Sequence, residues 1–292
     1  MTLQLTGSRS VPKHIIHELH EVPFLHGRYQ REPESRCQSH EPPIDHRFKE
    51  VRQGDDIFPD RNGCWNLVRE GQYTVRAAAM QHTMPSVGYV IDEDKGEDRL
   101  KAHMVEDAIE RNKAGLQEIY GRSYRRVFKD LKGLGPDETF TMPDGEVIRG
   151  SDILTPARPG RKVVILGDTC DAQEMVPMAQ EADVVVHEAT NAWIPFLDGD
   201  KSPYEVQRET IKHGHSTPQM AGEFAKACKA KKLVLTHFSQ RYKDDESKFT
   251  ANVMSRIGGY ASESAGLPSD SVITARDIMT LAVPRPGYEG EE

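Results

Sequence analysis

In the second half of the sequence, short apolar runs alternate with segments that have the pattern of helices, and this alternation limits the fold more than any other feature. Three runs predict strands buried on both faces: RKVVILGD (161–168), ADVVVHEAT (182–190) and KKLVLTHFS (231–239). A helix is predicted before the third run, with Thr217 as its N-cap and Pro218 at its first position. Strands joined by crossover connections lie parallel. The sequence therefore predicts an α/β fold with parallel neighbouring strands.

Titratable side chains follow these strands at their carboxyl ends. Asp168 ends the first strand, His187 and Glu188 end the second. His237 ends the third strand, and His215 comes just before the predicted helix. Each residue alone has an ordinary explanation, such as capping a helix, but functional groups in parallel sheets gather beyond the carboxyl ends of strands. We interpret the joint placement as a site whose nitrogen and oxygen ligands suit zinc or manganese.

Charge and composition exclude several classes of protein. The 292 residues carry 38 Lys and Arg against 46 Asp and Glu, a formal net charge of −8. This excludes a chain that coats nucleic acid with its whole surface, but it allows a local basic patch. No apolar run reaches the ~18 residues of a transmembrane helix, and the first residues lack the apolar stretch of a secretory signal. Since the four cysteines form no CxxC pair, we expect a cytoplasmic or nuclear protein that is neither secreted nor membrane-bound.

The first part of the sequence is less regular. Residues 1–72 are rich in proline and polar turn residues, and we interpret them as irregular. Their one ordered candidate is HIIHEL (14–19), a short strand or half-turn. From residue 73 two β-rich runs follow, YTVRAAAM and SVGYVID, and residues 98–120 then show helical spacing. The text MPDGEVI predicts a hairpin turn, and residues 287–292 form a short tail.

At the residues that end the strands, the sequence resembles the short-form tRNase Z (ribonuclease Z) family, the zinc phosphodiesterases of the metallo-β-lactamase superfamily. The matching segments are HIIHEL (14–19), QHTMPSVGY (81–89), ILGDT (165–169), HEAT (187–190), GHSTPQMA (214–221), LVLTHFSQRY (233–242) and TARDIMTLAVPRP (274–286). Several separated motifs occur in order, which makes the block from 161 to 242 highly specific. The resemblance covers most of residues 73–286, which we take as the tRNase Z-like region.

The resemblance implies a metallo-β-lactamase αββα sandwich and a tRNA 3′-end processing endoribonuclease that removes the 3′ trailer of precursor tRNA. It also implies two zinc ions, one held by His82 and the other by His237, with Asp168 bridging them. His215, held by Glu188, would protonate the departing oxygen, because a carboxylate partner fixes the tautomer of an imidazole and raises its basicity. Family members work as homodimers, so the expected partners are precursor tRNA and a second copy of the chain.

One family motif, H-x-H-x-D-H, occurs nowhere in the sequence. In the family it lies upstream of the segment that resembles HIIHEL and supplies four metal ligands. Without it each zinc would keep at most one histidine and the shared Asp168, whereas catalytic zinc sites normally hold three protein ligands. We therefore expect the N-terminal half of the sandwich to be truncated and zinc binding to be weak or absent. A truncated gene model, an alternative start or a degenerate paralogue would each produce this sequence.

Two functional hypotheses stay open, and a third is weaker. The first is the zinc-dependent endoribonuclease, which the joint retention of the Asp, Glu and two His residues in the C-terminal motifs supports. The second is a catalytically impaired remnant that binds tRNA or a partner, which the absent motif supports. The third is another metallo-β-lactamase-type hydrolase that acts on small esters, and the GHST and HFSQRY motifs argue against it.

A basic run lies where the family carries its tRNA-binding arm, at residues 92–140. The candidate tRNA-binding residues are Arg122, Arg125, Arg126, Lys129 and Lys132. Such a cluster can bind phosphates by releasing counterions, even in an acidic chain. A solvated helix face is the other explanation of this run, and the sequence does not decide between them.

Overall fold

The computed structural model describes residues 14–23, 51–243, 245 and 247–285. The chain divides into two compact units. The core unit combines the described residues up to Asp92 with those of Lys162–Val283, and the insert unit combines Glu93–Arg161 with the described residues from Pro284 onward.

Short strands and helices alternate along the described residues. The strands are β1 (His14–Leu19), β2 (Val51–Ile57), β3 (Cys64–Glu70), β4 (Tyr73–Met80), β5 (Ser86–Glu93), β6 (Arg99–Leu100), β7 (Thr139–Thr141), β8 (Val147–Arg149), β9 (Leu154–Thr155), β10 (Lys162–Leu166), β11 (Val184–Glu188), β12 (Leu233–Thr236) and β13 (Val272–Thr274). The helices are α1 (Glu106–Arg111), α2 (Lys113–Tyr120), α3 (Val127–Lys132), α4 (Gly150–Ile153), α5 (Pro195–Asp198), α6 (Pro203–Lys212), α7 (Pro218–Ala227) and α8 (Lys248–Ala265). None of these helices is both long and apolar enough to cross a bilayer.

A seven-stranded sheet forms the centre of the core unit, in the spatial order β13-β12-β11-β10-β5-β4-β3. The pairs β10/β11, β11/β12 and β12/β13 are parallel. The pairs β5/β10 and β3/β4 are antiparallel. The predicted α/β class, with the three apolar runs as parallel neighbours, is confirmed.

One face of this sheet packs against α7 and α8. The predicted apolar face of α7 is buried, since Ala221, Phe224 and Ala225 belong to the main core cluster. The strand side chains opposite them follow the period of two, as Val164 and Leu166 of β10 do. Helix α7 also begins as predicted, with Thr217 accepting a hydrogen bond from the Met220 amide and a proline in its first turn. This layer fixes the strands whose ends carry the titratable residues.

A smaller apolar cluster lies apart from that main core. Trp65, Ala77 and Ala79 are buried there, with Leu19 and Ile57 packed against them. The Trp65 indole N–H donates to the carbonyl of His20 at 3.0 Å. These contacts attach the parallel pair β1/β2 to the large sheet.

The interpretation of residues 1–72 as irregular is wrong for the part that the structure describes. HIIHEL is the strand β1, which was one of the two conformations predicted for it, but two further strands, β2 and β3, occupy Val51–Ile57 and Cys64–Glu70. The strand β3 lies at the edge of the sheet, and along it only Trp65 is fully buried, so its sequence lacks the apolar alternation of a half-buried strand. Gly71, with φ of +56°, makes the turn into β4. Residues 1–13, 24–50 and the predicted tail 287–292 lie outside the described residues.

At the other end of the tRNase Z-like region, the segment TARDIMTLAVPRP (274–286), whose resemblance implies the last strand of the fold, contributes only Thr274 to a strand within the described residues. The strand β13 ends at Thr274, and residues 275–285 form no further strand. The backbone there leaves the sheet after Ala275, whose amide donates to the carbonyl of Leu235 at 2.9 Å.

The insert unit has its own hydrophobic core, built on Val105, Ile109, Leu116, Val127 and Leu131. The predicted hairpin is confirmed: β7 and β8 pair antiparallel. The helical spacing of residues 98–120 predicted a continuous helix, but the structure has two helices there, α1 and α2, which are separated at Asn112.

The insert unit is longer than the predicted arm at 92–140. Ile148, Ile153 and Leu154 belong to the same buried cluster as α1–α3. The hairpin, α4 and β9 therefore fold with the helices, and the unit runs on to Arg161.

Candidate active site

Four titratable side chains meet at the carboxyl edge of β10, β11 and β12. One ligand atom from each of Asp168, Glu188, His215 and His237 lies within 4.8 Å of the others. The strand register produces this arrangement, because Glu188 pairs with Thr236, the residue before His237. The structure therefore brings together four of the five residues to which the sequence assigned metal-binding or catalytic roles.

Glu188 is the buried centre of the group, with a side chain that is 1% exposed. Its Oε1 accepts from the Thr169 amide at 2.6 Å and lies 3.0 Å from Nδ1 of His215. Its Oε2 accepts from the Ser216 amide at 3.1 Å and from the Thr190 hydroxyl. A buried carboxylate needs such donors to offset its desolvation. Since all four contacts hold Glu188 in the protein, its arrangement suits orienting His215 better than ligating a metal.

The segment before α7 positions His215. Ser216 donates its hydroxyl hydrogen to the carbonyl of Thr169 at 2.5 Å, which ties this segment to the end of β10. Gly214 has φ of +82°, and a Cβ atom there would meet Nδ1 of His82 at 2.5 Å. Only glycine permits this close approach, so the GHST sequence lets the loop pass directly against His82.

His82 lies beside His215 but outside the four-residue group. The two rings are 5.0 Å apart between centroids, and His82 Nδ1 lies 2.7 Å from the carbonyl oxygen of Gly214. A carbonyl only accepts, so Nδ1 of His82 carries the proton, and Nε2 of the neutral ring keeps its lone pair.

In His215, as in His82, the Nδ1 atom faces an acceptor oxygen, which leaves Nε2 for the site. Its Nδ1 faces an oxygen of Glu188, and its ring lies 5.3 Å from that of His237. Metal-binding histidines typically donate one ring N–H to a carboxylate or carbonyl and ligate with the other nitrogen. Both rings therefore have the orientation that a metal site or a proton-transfer site requires.

Asp168 and His237 form the exposed side of the group. His237 Nε2 lies 3.5 Å from Asp168 Oδ1, and the two side chains are 49% and 40% exposed. An imidazole nitrogen facing a carboxylate oxygen at this distance fits a cation between or beside them. The donor types of His82, Asp168 and His237 suit zinc.

His187, at the end of β11, does not join the site. It is buried, its ring packs against that of Phe224 at 5.5 Å, and Nδ1 lies 2.7 Å from the carbonyl of Glu188. Burial lowers the pKa of His187, so it is a neutral core residue.

The loop after β12 is held by a second polar group. Arg241 forms an ion pair with the buried carboxylate of Asp198 at 2.6 Å, and the Tyr242 hydroxyl accepts from the amide of Ala192 at 2.8 Å. These contacts fix the course of the chain directly after His237. Sequence reasoning did not assign a role to Arg241 or Tyr242, although both stand in the HFSQRY motif.

The five candidate tRNA-binding residues are all exposed, and two of them form ion pairs. Arg125 lies 3.4 Å from Glu110, and Lys132 lies 2.6 Å from Glu97. Within the described part of the chain, Arg122, Arg126 and Lys129 have no acidic partner. These three charges are therefore not neutralised by an ion pair within the described residues.

Comparison with known proteins finds relatives that are named zinc phosphodiesterase or ribonuclease Z. Zinc phosphodiesterase ELAC protein 1 of Mus musculus is 34% identical over 237 residues, 80% of this chain and 58% of that protein. Ribonuclease Z of Synechocystis sp. is 30% identical over 235 residues, 80% of this chain and 59% of its own length. The crystal structure of human tRNase Z, short form, shares 25% identity with a TM-score of 0.41, covering 79% of this chain and 50% of that one. No family model matches the chain.

The chain spans 58–59% of the length of the mouse and cyanobacterial relatives. Zinc phosphodiesterase ELAC protein 1 of Bos taurus is 30% identical over 289 residues, which cover 97% of this chain and 70% of the bovine protein. With this match across nearly the whole sequence, and with the Asp, Glu and His residues of the family motifs gathered at one sheet edge, the chain belongs to the ribonuclease Z and zinc phosphodiesterase family that its motifs indicated.

Proposed function

We propose that the core unit carries the hydrolytic centre of a zinc-dependent endoribonuclease that removes the 3′ trailer of precursor tRNA. The observation that carries this proposal is the hydrogen-bonded pair of the buried Glu188 and the partly exposed His215, set beside Asp168 and His237. A carboxylate and imidazole pair next to metal-type donors suits phosphodiester hydrolysis, in which the leaving oxygen needs a proton.

In this proposal His82, Asp168 and His237 hold zinc. Zinc bound there supplies the Lewis-acid and water-activating chemistry of phosphodiester hydrolysis. Because the side chains of Asp168 and His237 are 40% and 49% exposed and three donors among the described residues serve the site, we expect zinc to bind weakly and the activity to require added zinc.

His215 acts as the general acid. Its Nδ1–H donates to Glu188, so the opposite nitrogen, Nε2, can carry the proton that passes to the departing oxygen. The negative charge of Glu188 stabilises the imidazolium before the transfer and fixes the ring orientation during it.

The insert unit contributes the RNA contact. Arg122, Arg126 and Lys129 offer three exposed positive charges without acidic partners among the described residues, and such charges bind phosphates without regard to sequence. We also infer a homodimer, as the family resemblance implies, which sedimentation equilibrium of the purified chain tests.

A second candidate function is a tRNA-binding protein without hydrolysis. The absence of H-x-H-x-D-H from the sequence favours it, because three metal donors then serve the site among the residues that the structure describes. This alternative keeps the insert-unit contact with tRNA and removes the chemistry.

The experiment that separates them measures zinc and hydrolysis in the same preparation. The purified chain is saturated with zinc, its bound metal is determined by elemental analysis, and cleavage of precursor tRNA and of bis(p-nitrophenyl) phosphate is followed. The endoribonuclease proposal expects cleavage that leaves a 3′-hydroxyl and that His215→Ala and Asp168→Asn abolish. Binding of precursor tRNA without cleavage of either substrate would establish the second function instead.

A further inference from the structure

Thr190 connects two of the site residues through one hydroxyl group. Its Oγ1 donates to Oε2 of Glu188 and lies 2.8 Å from Nδ1 of His237. A threonine hydroxyl has a single hydrogen. Glu188 takes that hydrogen, because its oxygens already receive the two backbone N–H groups of Thr169 and Ser216 and so act as acceptors. The remaining partner, Nδ1 of His237, must therefore be the donor.

We propose that Thr190 is a positioning residue that holds His237 in its Nδ1–H tautomer and so directs the lone pair of Nε2 toward Asp168. The inference deepens the proposed function, and it rests on that function only where it concerns zinc. The tautomer itself is a property of the metal-free chain. Sequence reasoning assigned Thr190 no role, although it is the last residue of the HEAT motif.

The backbone shows why His237 needs this support. His237 has φ of +56°, a left-handed conformation that side chains other than glycine rarely adopt. Thr190 holds the same turn a second time, since its carbonyl accepts from the amide of Ser239 at 2.8 Å. Thus the carbonyl fixes the turn and the hydroxyl fixes the ring.

The same carboxylate therefore orients two imidazoles. Oε1 of Glu188 contacts His215 directly, and Oε2 contacts His237 through Thr190. The exposed His237 ring, with half of its side chain open to solvent, thus depends on a buried group that it does not touch. Without the hydroxyl, the ring can rotate or change tautomer, and its Nε2 no longer faces Asp168.

The test compares Thr190→Val, which keeps the shape and removes the hydroxyl, with Thr190→Ser, which keeps the hydroxyl. Thr236→Val is the matched control: it precedes His237, and its hydroxyl contacts the carbonyl of His187 at 3.4 Å rather than an imidazole of the site. The readout is the ¹⁵N NMR spectrum of the metal-free chain labelled on its histidine rings, with His237 assigned from His237→Gln.

We expect the Nδ1–H form of His237 in the wild type, in Thr190→Ser and in Thr236→Val, and a mixture of tautomers in Thr190→Val. A wild-type His237 protonated on Nε2 when neutral would overturn the proposal without any variant. An unchanged tautomer in Thr190→Val would overturn it as well. Circular dichroism checks that each variant is folded. If Thr190→Val does not fold, the tautomer of His237 in the wild-type spectrum tests the proposal by itself.

Metal affinity gives a second readout, measured by titration with Co²⁺ as the probe. Loss of a group that orients a ligating histidine typically lowers affinity about 10- to 100-fold, so we expect that loss in Thr190→Val and recovery in Thr190→Ser. If the tautomer and the affinity respond but no RNA is cleaved, the endoribonuclease proposal fails and the role of Thr190 stands. If RNA is cleaved while Thr190→Val changes neither readout, the role of Thr190 fails and the endoribonuclease proposal stands.

Discussion

Nδ1 of His215 lies 3.0 Å from Oε1 of Glu188, and the Glu188 side chain is almost fully buried while His215 is 21% exposed. The carboxylate is thus removed from water and the imidazole reaches the surface. This asymmetry lets a buried charge control the proton on a group that meets a substrate. The relationship supports the proposed role of His215 as the general acid.

Glu188→Gln should damage both chemistry and stability. The amide that replaces the carboxylate carries two N–H donors, so one of its contacts with a neighbouring donor becomes repulsive. We expect zinc-dependent hydrolysis of bis(p-nitrophenyl) phosphate to fall about 10²- to 10⁴-fold and the free energy of unfolding in urea to fall by about 1–3 kcal/mol. The matched control is Glu223→Gln on the exposed side of α7, which should change neither quantity. Unaltered stability of Glu188→Gln would contradict the hydrogen-bond network described for this carboxylate.

Replacing Arg122, Arg126 and Lys129 by Gln should weaken tRNA binding at low salt. Each phosphate contact that is lost removes about 0.7–0.9 from the slope of log affinity against log salt concentration. The measurement is fluorescence anisotropy of labelled precursor tRNA at several salt concentrations.

The control for this triple variant replaces three exposed lysines of the core unit, Lys212, Lys226 and Lys248, with Gln. It changes the net charge equally but leaves the insert unit intact. An equal loss of affinity in both triple variants would show that net charge, and not the insert-unit residues, governs binding.

The insert unit should lose stability in acid because of Glu93. Hydrogen bonds from Arg161 and Arg285 lower the pKa of this buried carboxyl from 4.5 to about 2. A carboxyl whose pKa is lower in the folded state stabilises it at a pH above the unfolded-state value and loses that contribution as the pH falls toward the folded-state value. The stabilisation should therefore disappear between about pH 4.5 and about pH 2.

The loss is measured by the protection of the α1–α3 amides against hydrogen exchange, relative to the unfolded chain at the same pH, at about pH 6 and about pH 3. In Glu93→Gln we expect lower protection than in the wild type at the higher pH, and a smaller decrease in protection between the two pH values. Glu118→Gln, at an exposed position of α2, is the control and should behave as the wild type. If Glu93→Gln keeps the full acid dependence, other carboxylates are responsible for it.

Two glycine substitutions should have opposite effects on stability. In Gly222→Ala the new Cβ would meet the Ala261 carbonyl oxygen at 2.4 Å, where α7 packs against α8, and overpacking of this kind costs about 1–3 kcal/mol. In Gly259→Ala no atom lies within 4 Å of the new Cβ, because residue 259 lies on the solvent-exposed face of α8, away from its ends. Alanine there should stabilise by about 0.5–1 kcal/mol. Thermal unfolding of both variants decides, and a stabilised Gly222→Ala would refute the close helix contact.

The strands β10, β11 and β12 could be predicted because each lies in a continuous apolar run, which is typical of a strand inside a parallel sheet. The start of α7 was equally predictable, since Thr217 and Pro218 are local signals. By contrast, β2 and β3 were missed, because their sequences lack the apolar alternation on which such a prediction depends. Their strand conformation follows from pairing with neighbours, which the sequence does not display.

The candidate site was predicted from residues at strand ends and from the family motifs. Strand order brings Asp168, Glu188 and His237 to one edge, and the sequence implied that order through its alternating strands and helices. His187 and Glu188 both end the strand β11 and looked equally suited to the site from the sequence, yet the His187 ring packs against Phe224 in the core. Successive strand residues point to opposite faces, and without a fixed register the sequence alone does not say which face is which.

The sequence by itself determined the α/β class, the parallel strands, the caps of α7 and the identity of the residues that carry charge or lone pairs. Tertiary structure decided which of them meet, because contacts such as Thr190 with His237 or Gly214 with His82 join residues 47 and 132 positions apart. Periodicity and capping act within a few residues and can be read locally. The direction of a hydrogen bond between distant side chains exists only after packing has fixed both partners and removed the water that would otherwise satisfy them.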